Sequence, residues 1–336
     1  MDKPETQGGE IAELRLGPDL FHVLCWVASA AAVATLGWIV YEIVSGAWPA
    51  IEKFGFGFLG SSAWVPNRDN FGVFPFIIGT LASSLIAILF AFPLGLAIAI
   101  FLSENFLPLP VREAVRFVVE MLAAIPSVVY GLWGIFVVIP MVKVFGGWAV
   151  STFHDTWTTP GVDGAAPTTH GIPILETLFA PPAYGNSMLT ASIVLALMIL
   201  PTITAISRNS LTAVPKTLRE GAYALGATRW EAILGVILPT AAPGVVAATI
   251  LALGRAMGET MAVAMLIGNS SRLSWSLLSP GGTLAGLLAN QFGEASGMQT
   301  NALMFAALIL VVITLFVNLA GEAVLRYTEK QTAGIR

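Results

Sequence analysis

Two ionisable residues sit where the chain is otherwise apolar. Arg255 and Glu259 fall within Leu253–Gly–Arg–Ala–Met–Gly–Glu–Thr–Met261, inside a run long enough to cross a bilayer. A central arginine in hydrocarbon costs ~2.5–3.5 kcal/mol on insertion scales, so it faces a partner or a water-filled path. Four residues apart on a helix, the two side chains share one face and neutralise each other when nothing else is bound. Two chemistries fit this pair. It locks helices together as an ion pair, or Arg255 offers its planar donor fork to a tetrahedral oxyanion. In the second case Glu259 is the counter-charge and the Thr260 hydroxyl a further polar group. Gly254 and Gly258 form a GxxxG that admits a close neighbouring helix.

A second polar cluster lies in Ile125–Pro–Ser–Val–Val–Tyr–Gly–Leu–Trp–Gly134. Pro126 frees a backbone carbonyl and invites a kink. Ser127 and Tyr130 either line a path or satisfy the kinked backbone, which a membrane tolerates only with such help. Arg116 and Glu120 are spaced for a pair at the membrane edge, and Glu104 reads as an interfacial charge. Other chemistry is scarce. Cys25 reads as a small buried core residue, and one cysteine excludes a disulfide framework or a thiolate metal site. His22, His154 and His170 match no short metal motif. The absence of GxxxxGK[ST] denies the chain a P-loop of its own, and no catalytic residues are expected.

The elements that position these residues follow from composition. Of 336 residues, 56% are hydrophobic and 11% charged, and mean hydropathy is +0.81. A soluble domain carries about 25% charge, so this is a polytopic membrane protein in contact with the lipid bilayer. A net charge of −4 offers nucleic acid no basic face. About 20 apolar residues span the hydrocarbon, and the chain holds six such runs, at 20–46, 74–103, 116–143, 188–207, 243–268 and 302–326. Unbroken runs mean helices rather than an alternating barrel, so the fold class is all-α with six transmembrane helices.

Residues 1–19 carry Asp2, Glu5, Glu10, Glu13 and Asp19 against Lys3 and Arg15, unlike a cleaved signal peptide, so the first span is expected to be retained. One side collects Lys3, Arg15, Arg112, Arg116, Arg208, Lys216, Arg219, Arg229, Arg326, Lys330 and Arg336; the other holds Lys53, Arg68, Lys143 and Arg272. The positive-inside rule then places both termini in the cytoplasm. The expected division is a tail at 1–19, a first helix at 20–46, a periplasmic loop at 47–73, a core at 74–326 and a tail at 327–336. The aromatics of 47–73 read as an interfacial belt. The Pro-rich loop 144–187, without lysine or arginine, is either a docking surface or a solvated connector.

The cytoplasmic segment 215–239 is too polar to span, yet carries Leu218, Ala222, Leu225, Trp230, Ile233 and Leu234 at helical spacing. A short helix, a break at Gly226 and a second short helix fit it. Periodicity alone favours a helix lying on the inner leaflet. Glu220–Gly221–Ala222, then Gly226, then Val236–Ile237–Leu238–Pro239 resembles the EAA loop of ABC-importer permeases, with Gly221 and Val236 as departures from that pattern. The resemblance implies a type I permease fold and docking of this loop in a cleft of an ATPase subunit.

RAMGETMA around Arg255, together with the 125–134 segment, resembles the permeases of the phosphate-specific ABC importer. That likeness covers about residues 75–325 and implicates Arg255 and Glu259 in translocation. It implies a homologous second permease (PstA-like), two ATPase subunits (PstB-like) and a periplasmic phosphate-binding protein (PstS-like). No cofactor is expected in this chain, ATP and Mg belonging to the ATPase subunits. The long outer loop and acidic tail favour the PstC-like permease of the pair. Rival readings are an ABC permease for sulfate or molybdate, a proton-coupled secondary anion transporter, whose inverted repeat is not evident, and a phosphate-sensing subunit.

Overall fold

The computed structural model describes residues 18–333 except 105, 107, 153–157, 160–167 and 170–176. Six helices are long and apolar enough to cross a membrane. The first, α1, runs Pro18–Phe54, well past the expected end at 46. A short helix α2 (Gly57–Gly60) and a two-residue hairpin, β1 (Trp64–Val65) with β2 (Asn70–Phe71), lead into α3 (Phe74–Ser103). Helix α4 (Leu109–Ala124) stands apart from the third span, which is built from α5 (Ser127–Trp133), a π-helical turn (Gly134–Val138) and α6 (Ile139–Val150). A second two-residue ladder, β3 (Thr158–Thr159) with β4 (Thr168–Thr169), precedes α7 (Met188–Thr212).

The segment before the fifth span forms α8 (Lys216–Ala224) and α9 (Arg229–Ala232). From α9 the chain passes without a break through a π turn (Ile233–Ile237) into α10 (Leu238–Met257). Then come α11 (Met261–Leu266), α12 (Leu284–Gln291) and the last span, α13 (Met298–Ala333).

The centre of the bundle is α7 packed along α3. Small side chains allow this: Thr80, Ser83 and Ser84 on α3 and Ser192, Thr204 and Ser207 on α7 are all buried. Close approach of backbones is how helices associate where lipid removes the hydrophobic drive. Gly95 sits where a Cβ would meet Ile203 Cγ2 at 3.0 Å, and the Thr204 hydroxyl donates to the Gly95 carbonyl at 3.3 Å. Most other hydroxyls on these helices bond carbonyls of their own helix, as Thr80 does to Phe76 and Ser84 to Thr80.

Several expectations change. The third span starts at Ser127, not 116, because Ile125 is extended (φ −71°, ψ 128°) just before Pro126, as a residue preceding proline prefers. Pro126 therefore caps the span instead of kinking its interior. The fifth span runs Arg229–Met257, displaced from 243–268, and Arg208 lies within α7 rather than in a loop. Cys25 is exposed, since this part of α1 shows its apolar surface outward. Glu104 is not a lone interfacial charge; it pairs with Arg219.

Phe54, Phe58, Trp64 and Phe71 of the aromatic segment 47–73 join the core instead of an interfacial belt. Phe58 and Phe71 are buried, Phe58 stacks on Phe305 with centroids 4.5 Å apart, and the Trp64 indole donates to Gln291 Oε1 at 2.7 Å. Trp48 and Phe56 remain exposed.

The π turns at Gly134–Val138 and Ile233–Ile237 have one local cause. Each ends two residues before a proline, Pro140 or Pro239, and closes with an N–H bonded five residues back, Ile139 to Gly134 and Leu238 to Ile233. A proline ring collides with the carbonyl four residues earlier, and one wider turn moves that carbonyl aside.

Candidate functional site

Arg255 lies near the end of α10, with an exposed side chain. It opens onto a cavity of about 440 Å³ between three spans, lined by Thr202 of α7, Leu251, Gly254 and Arg255 of α10, and Thr314 and Asn318 of α13. The cation is thus held where membrane-embedded charge is tolerated, at a cavity wall.

Glu259 is not on the same helical face. Helix α10 stops at Met257 and Gly258 caps it, so Glu259 falls in the break between α10 and α11. No ion pair within 4.0 Å joins Arg255 to Glu259 among the described residues. The Glu259 carboxylate instead accepts the Ala262 N–H at 3.5 Å, in the first turn of α11, where it meets the positive end of the helix dipole. Thr260 is the residue before that helix, and its hydroxyl makes no capping bond. The GxxxG spacing does not form a helix seam either. A Cβ at Gly254 would meet Asn318 Oδ1 at 3.2 Å, whereas one at Gly258 would face only backbone of its own helix.

The segment 125–134 meets the helix that directly follows 253–261. That helix, α11, packs on α5. A Cβ at Gly131 would sit 2.7 Å from Met265 Sδ, and one at Gly134 would sit 2.8 Å from a Leu266 methyl. The two glycines therefore seat α11. Tyr130 is buried, and its hydroxyl donates to the Leu122 carbonyl at 2.8 Å, across the break at Pro126. It satisfies the backbone that the proline frees. Ser127 opens α5 and is half-buried; neither it nor Tyr130 lines the Arg255 cavity.

The 215–239 segment folds as a helix, a turn and a second helix. Gly226 has φ +86°, a conformation that favours glycine. Thr228 and Glu231 form a reciprocal capping box that starts α9. That second helix is not short, since it continues into the fifth span. Glu220 and Gly221 are exposed, as are Gly226 and Pro239, while Leu238 is half-buried. Ala222 is buried against this chain, and Leu225, at 91% exposure, is the apolar tip. Leu218, Ile233 and Ile237 pack with Ala99, Ile100 and Leu211, joining the segment to α3 and α7. Phe106 stacks on Trp230 at 5.1 Å beside this cluster.

Two features escaped the sequence reasoning. Thr202, Thr314 and Asn318 share the Arg255 cavity, and an amide inside the apolar run Phe316–Val–Asn–Leu319 was the available signal. The Glu104–Arg219 pair joins residues too distant in sequence for any local pattern to indicate it.

Comparison with known proteins agrees with this architecture. Residues 91–333 match the family model "Binding-protein-dependent transport system inner membrane component". The "Phosphate transport system permease protein PstC" of Mesorhizobium japonicum is 41% identical over 97% of this chain and 95% of its own length. A protein of the same name from Pasteurella multocida is 40% identical over 87% of each. Among solved structures, a bacterial alginate ABC transporter in complex with an alginate-bound periplasmic protein superposes with a TM-score of 0.53 at 16% identity, covering 91% of this chain and 96% of that one, which supports the fold. With six membrane-length helices and matches across nearly its whole length, the chain belongs to the family of binding-protein-dependent transport system inner membrane components and groups there with the PstC permeases.

Proposed function

We propose that this chain is one of two membrane-spanning permeases of an ATP-driven importer that moves inorganic phosphate across the bacterial inner membrane by alternating access. The observation that carries the reading is the placement of Arg255. Its side chain lines a cavity between spans and sits on the same continuous helical rod, Arg229–Met257, that begins in the EAA-like segment. The names of the PstC relatives supply the cargo.

In this reading both termini and the 215–239 segment are cytoplasmic, as the lysine and arginine distribution favours. Residues Glu220, Gly221, Ala222, Gly226, Leu238 and Pro239 form the coupling unit. Glu220, Gly221 and the exposed Leu225 meet an ATPase subunit, Ala222 anchors the unit from within, and Gly226 turns it. The partners are a homologous PstA-like permease, two PstB-like ATPase subunits and a PstS-like periplasmic binding protein. ATP and Mg are held by the ATPase subunits, and this chain performs no covalent chemistry.

ATP-driven closure of the ATPases moves the coupling unit, and the spans open outward to take phosphate from the binding protein. Arg255 then offers the anion a planar, always-charged donor fork along its route. Glu259 holds the break after α10 through the Ala262 N–H, Tyr130 holds the break before α5 through the Leu122 carbonyl, and Thr260 and Ser127 offer their hydroxyls beside them.

The test is ATP-dependent uptake of labelled phosphate and labelled sulfate into vesicles containing the full co-expressed complex. Phosphate uptake that requires ATP is expected. Sulfate or molybdate uptake would keep the importer and overturn the cargo; phosphate uptake without the ATPase subunits would overturn the mechanism.

A further inference from the structure

We infer that Asn318 is a second substrate-binding group of the Arg255 cavity, selecting an oxyanion that still carries a proton; this rests on the phosphate-import reading. Asn318 lies in the last span, inside an apolar run, and its side chain is exposed to the cavity. An amide at membrane depth faces a path or a partner. Among the described residues its carboxamide has no hydrogen-bond partner.

The packing brings Asn318 to Arg255. A Cβ at position 254 would lie 3.2 Å from Asn318 Oδ1 and 3.8 Å from its Nδ2. Glycine there leaves a notch, and the amide rests across α10 one residue from the arginine. The guanidinium supplies charge and donors only. The carboxamide supplies both kinds of group, two N–H donors and an acceptor oxygen. Thr314 adds to the acceptor side: its hydroxyl proton is engaged by the Leu310 carbonyl at 2.7 Å, which leaves its oxygen lone pairs available.

A wall with one cationic fork and acceptor oxygens suits an anion bearing both P–O⁻ and P–OH. Phosphate near neutral pH is such an anion. Sulfate has no proton to give, so the acceptors facing it go unpaired. A site built to bond a substrate hydroxyl discriminates strongly against an analogue without one.

The experiment uses the complete reconstituted complex in proteoliposomes, with labelled inorganic phosphate as the probe and uptake read beside ATP hydrolysis stimulated by loaded binding protein. Asn318→Leu keeps the volume and removes every polar contact. It is expected to lower uptake about tenfold or more, in line with the loss of a hydrogen bond to a charged group, while assembly and stimulated hydrolysis persist. Asn318→Thr, which restores one hydroxyl, is expected to fall between. Wild-type uptake by Asn318→Leu, in an assay where Arg255→Ala is inactive, would overturn the role of Asn318 and leave the importer standing. Equal loss of assembly and uptake in both variants would assign Asn318 to packing and also overturn it. Should only the leucine variant fail to assemble, unchanged uptake by Asn318→Thr would overturn the inference and reduced uptake would support it. A wild-type complex that moves no phosphate would remove the parent reading, and this inference with it.

Discussion

Glu104 and Arg219, 115 residues apart in the chain, form a largely enclosed ion pair that ties the EAA-like helix to the end of α3. Their side chains are 12% and 18% exposed. Arg219 also donates to the Leu211 carbonyl near the end of α7. One guanidinium therefore fastens α8 to two spans at once, so force applied to α8 reaches both central helices of the bundle.

Breaking this clamp should uncouple the importer. Glu104→Gln leaves a guanidinium without its counter-charge in an enclosed place. We expect a loss of about 2–3 kcal/mol, somewhat below the range for fully buried pairs. The readout is the ratio of phosphate transported to ATP hydrolysed, which should fall while hydrolysis continues. The exchange Glu104→Arg with Arg219→Glu should restore part of that ratio; no change in any of these variants would sink the clamp.

Arg255→Ala should abolish phosphate uptake with the complex still assembled, because the cavity then presents no cation. Arg255→Lys keeps the charge without the fork and should retain a small fraction of the rate. Full transport by the alanine variant would show that the cavity is not on the route.

Ala222 and Leu225 should separate folding from docking. Ala222 is buried in this chain, so Ala222→Asp places an unpaired carboxylate inside it and should lower the yield of folded permease. Leu225 is exposed, so Leu225→Asp should leave the permease folded and weaken co-purification of the ATPase subunit. The reverse pattern would mean that Leu225 is not part of the docking face.

Tyr130→Phe removes the donor to the Leu122 carbonyl and nothing that faces the cavity. We expect thermal stability to fall by about 1 kcal/mol and uptake to stay close to wild type. A large loss of uptake at unchanged stability would put Tyr130 on the phosphate route.

The Arg116 cluster serves as a control. Its guanidinium is raised above its ordinary value, chiefly by the hydrogen bond to Glu120 at 2.7 Å and then by the Glu120 and Glu113 charges. A raised basic group contributes stability below its ordinary pKa and loses it only as pH climbs through the folded value, far into alkali. Arg116→Ala should therefore leave uptake flat between pH 6 and 8, and a pH-dependent loss there would give this exposed pair a role that its position denies.

The sequence discloses what depends on local composition and spacing. Apolar run length reveals the six spans, the Arg116–Glu120 spacing reveals a pair that forms, and Gly226 marks a turn that glycine alone suits. What it conceals depends on where helices stop. Reading Arg255 and Glu259 at i,i+4 assumes an unbroken helix, and Gly258 ends it between them. Pro126 reads as a kink within one span, but the extended Ile125 makes two helices of it. Phe58 and Phe71 look like interfacial aromatics until α13 supplies Phe305 to stack against. Asn318 becomes meaningful only when tertiary packing lays it over Gly254.

The fifth span has a mechanical consequence. Because α9, its π turn and α10 form one unbroken rod, Arg229 and Arg255 are the two ends of a lever about 39 Å long at 1.5 Å per residue. Pivoting such a rod by about 10° at the Arg229 end sweeps the guanidinium through about 7 Å, more than the pitch of one helical turn. A small rotation at the surface is thereby amplified into a stroke comparable to the width of the anion itself.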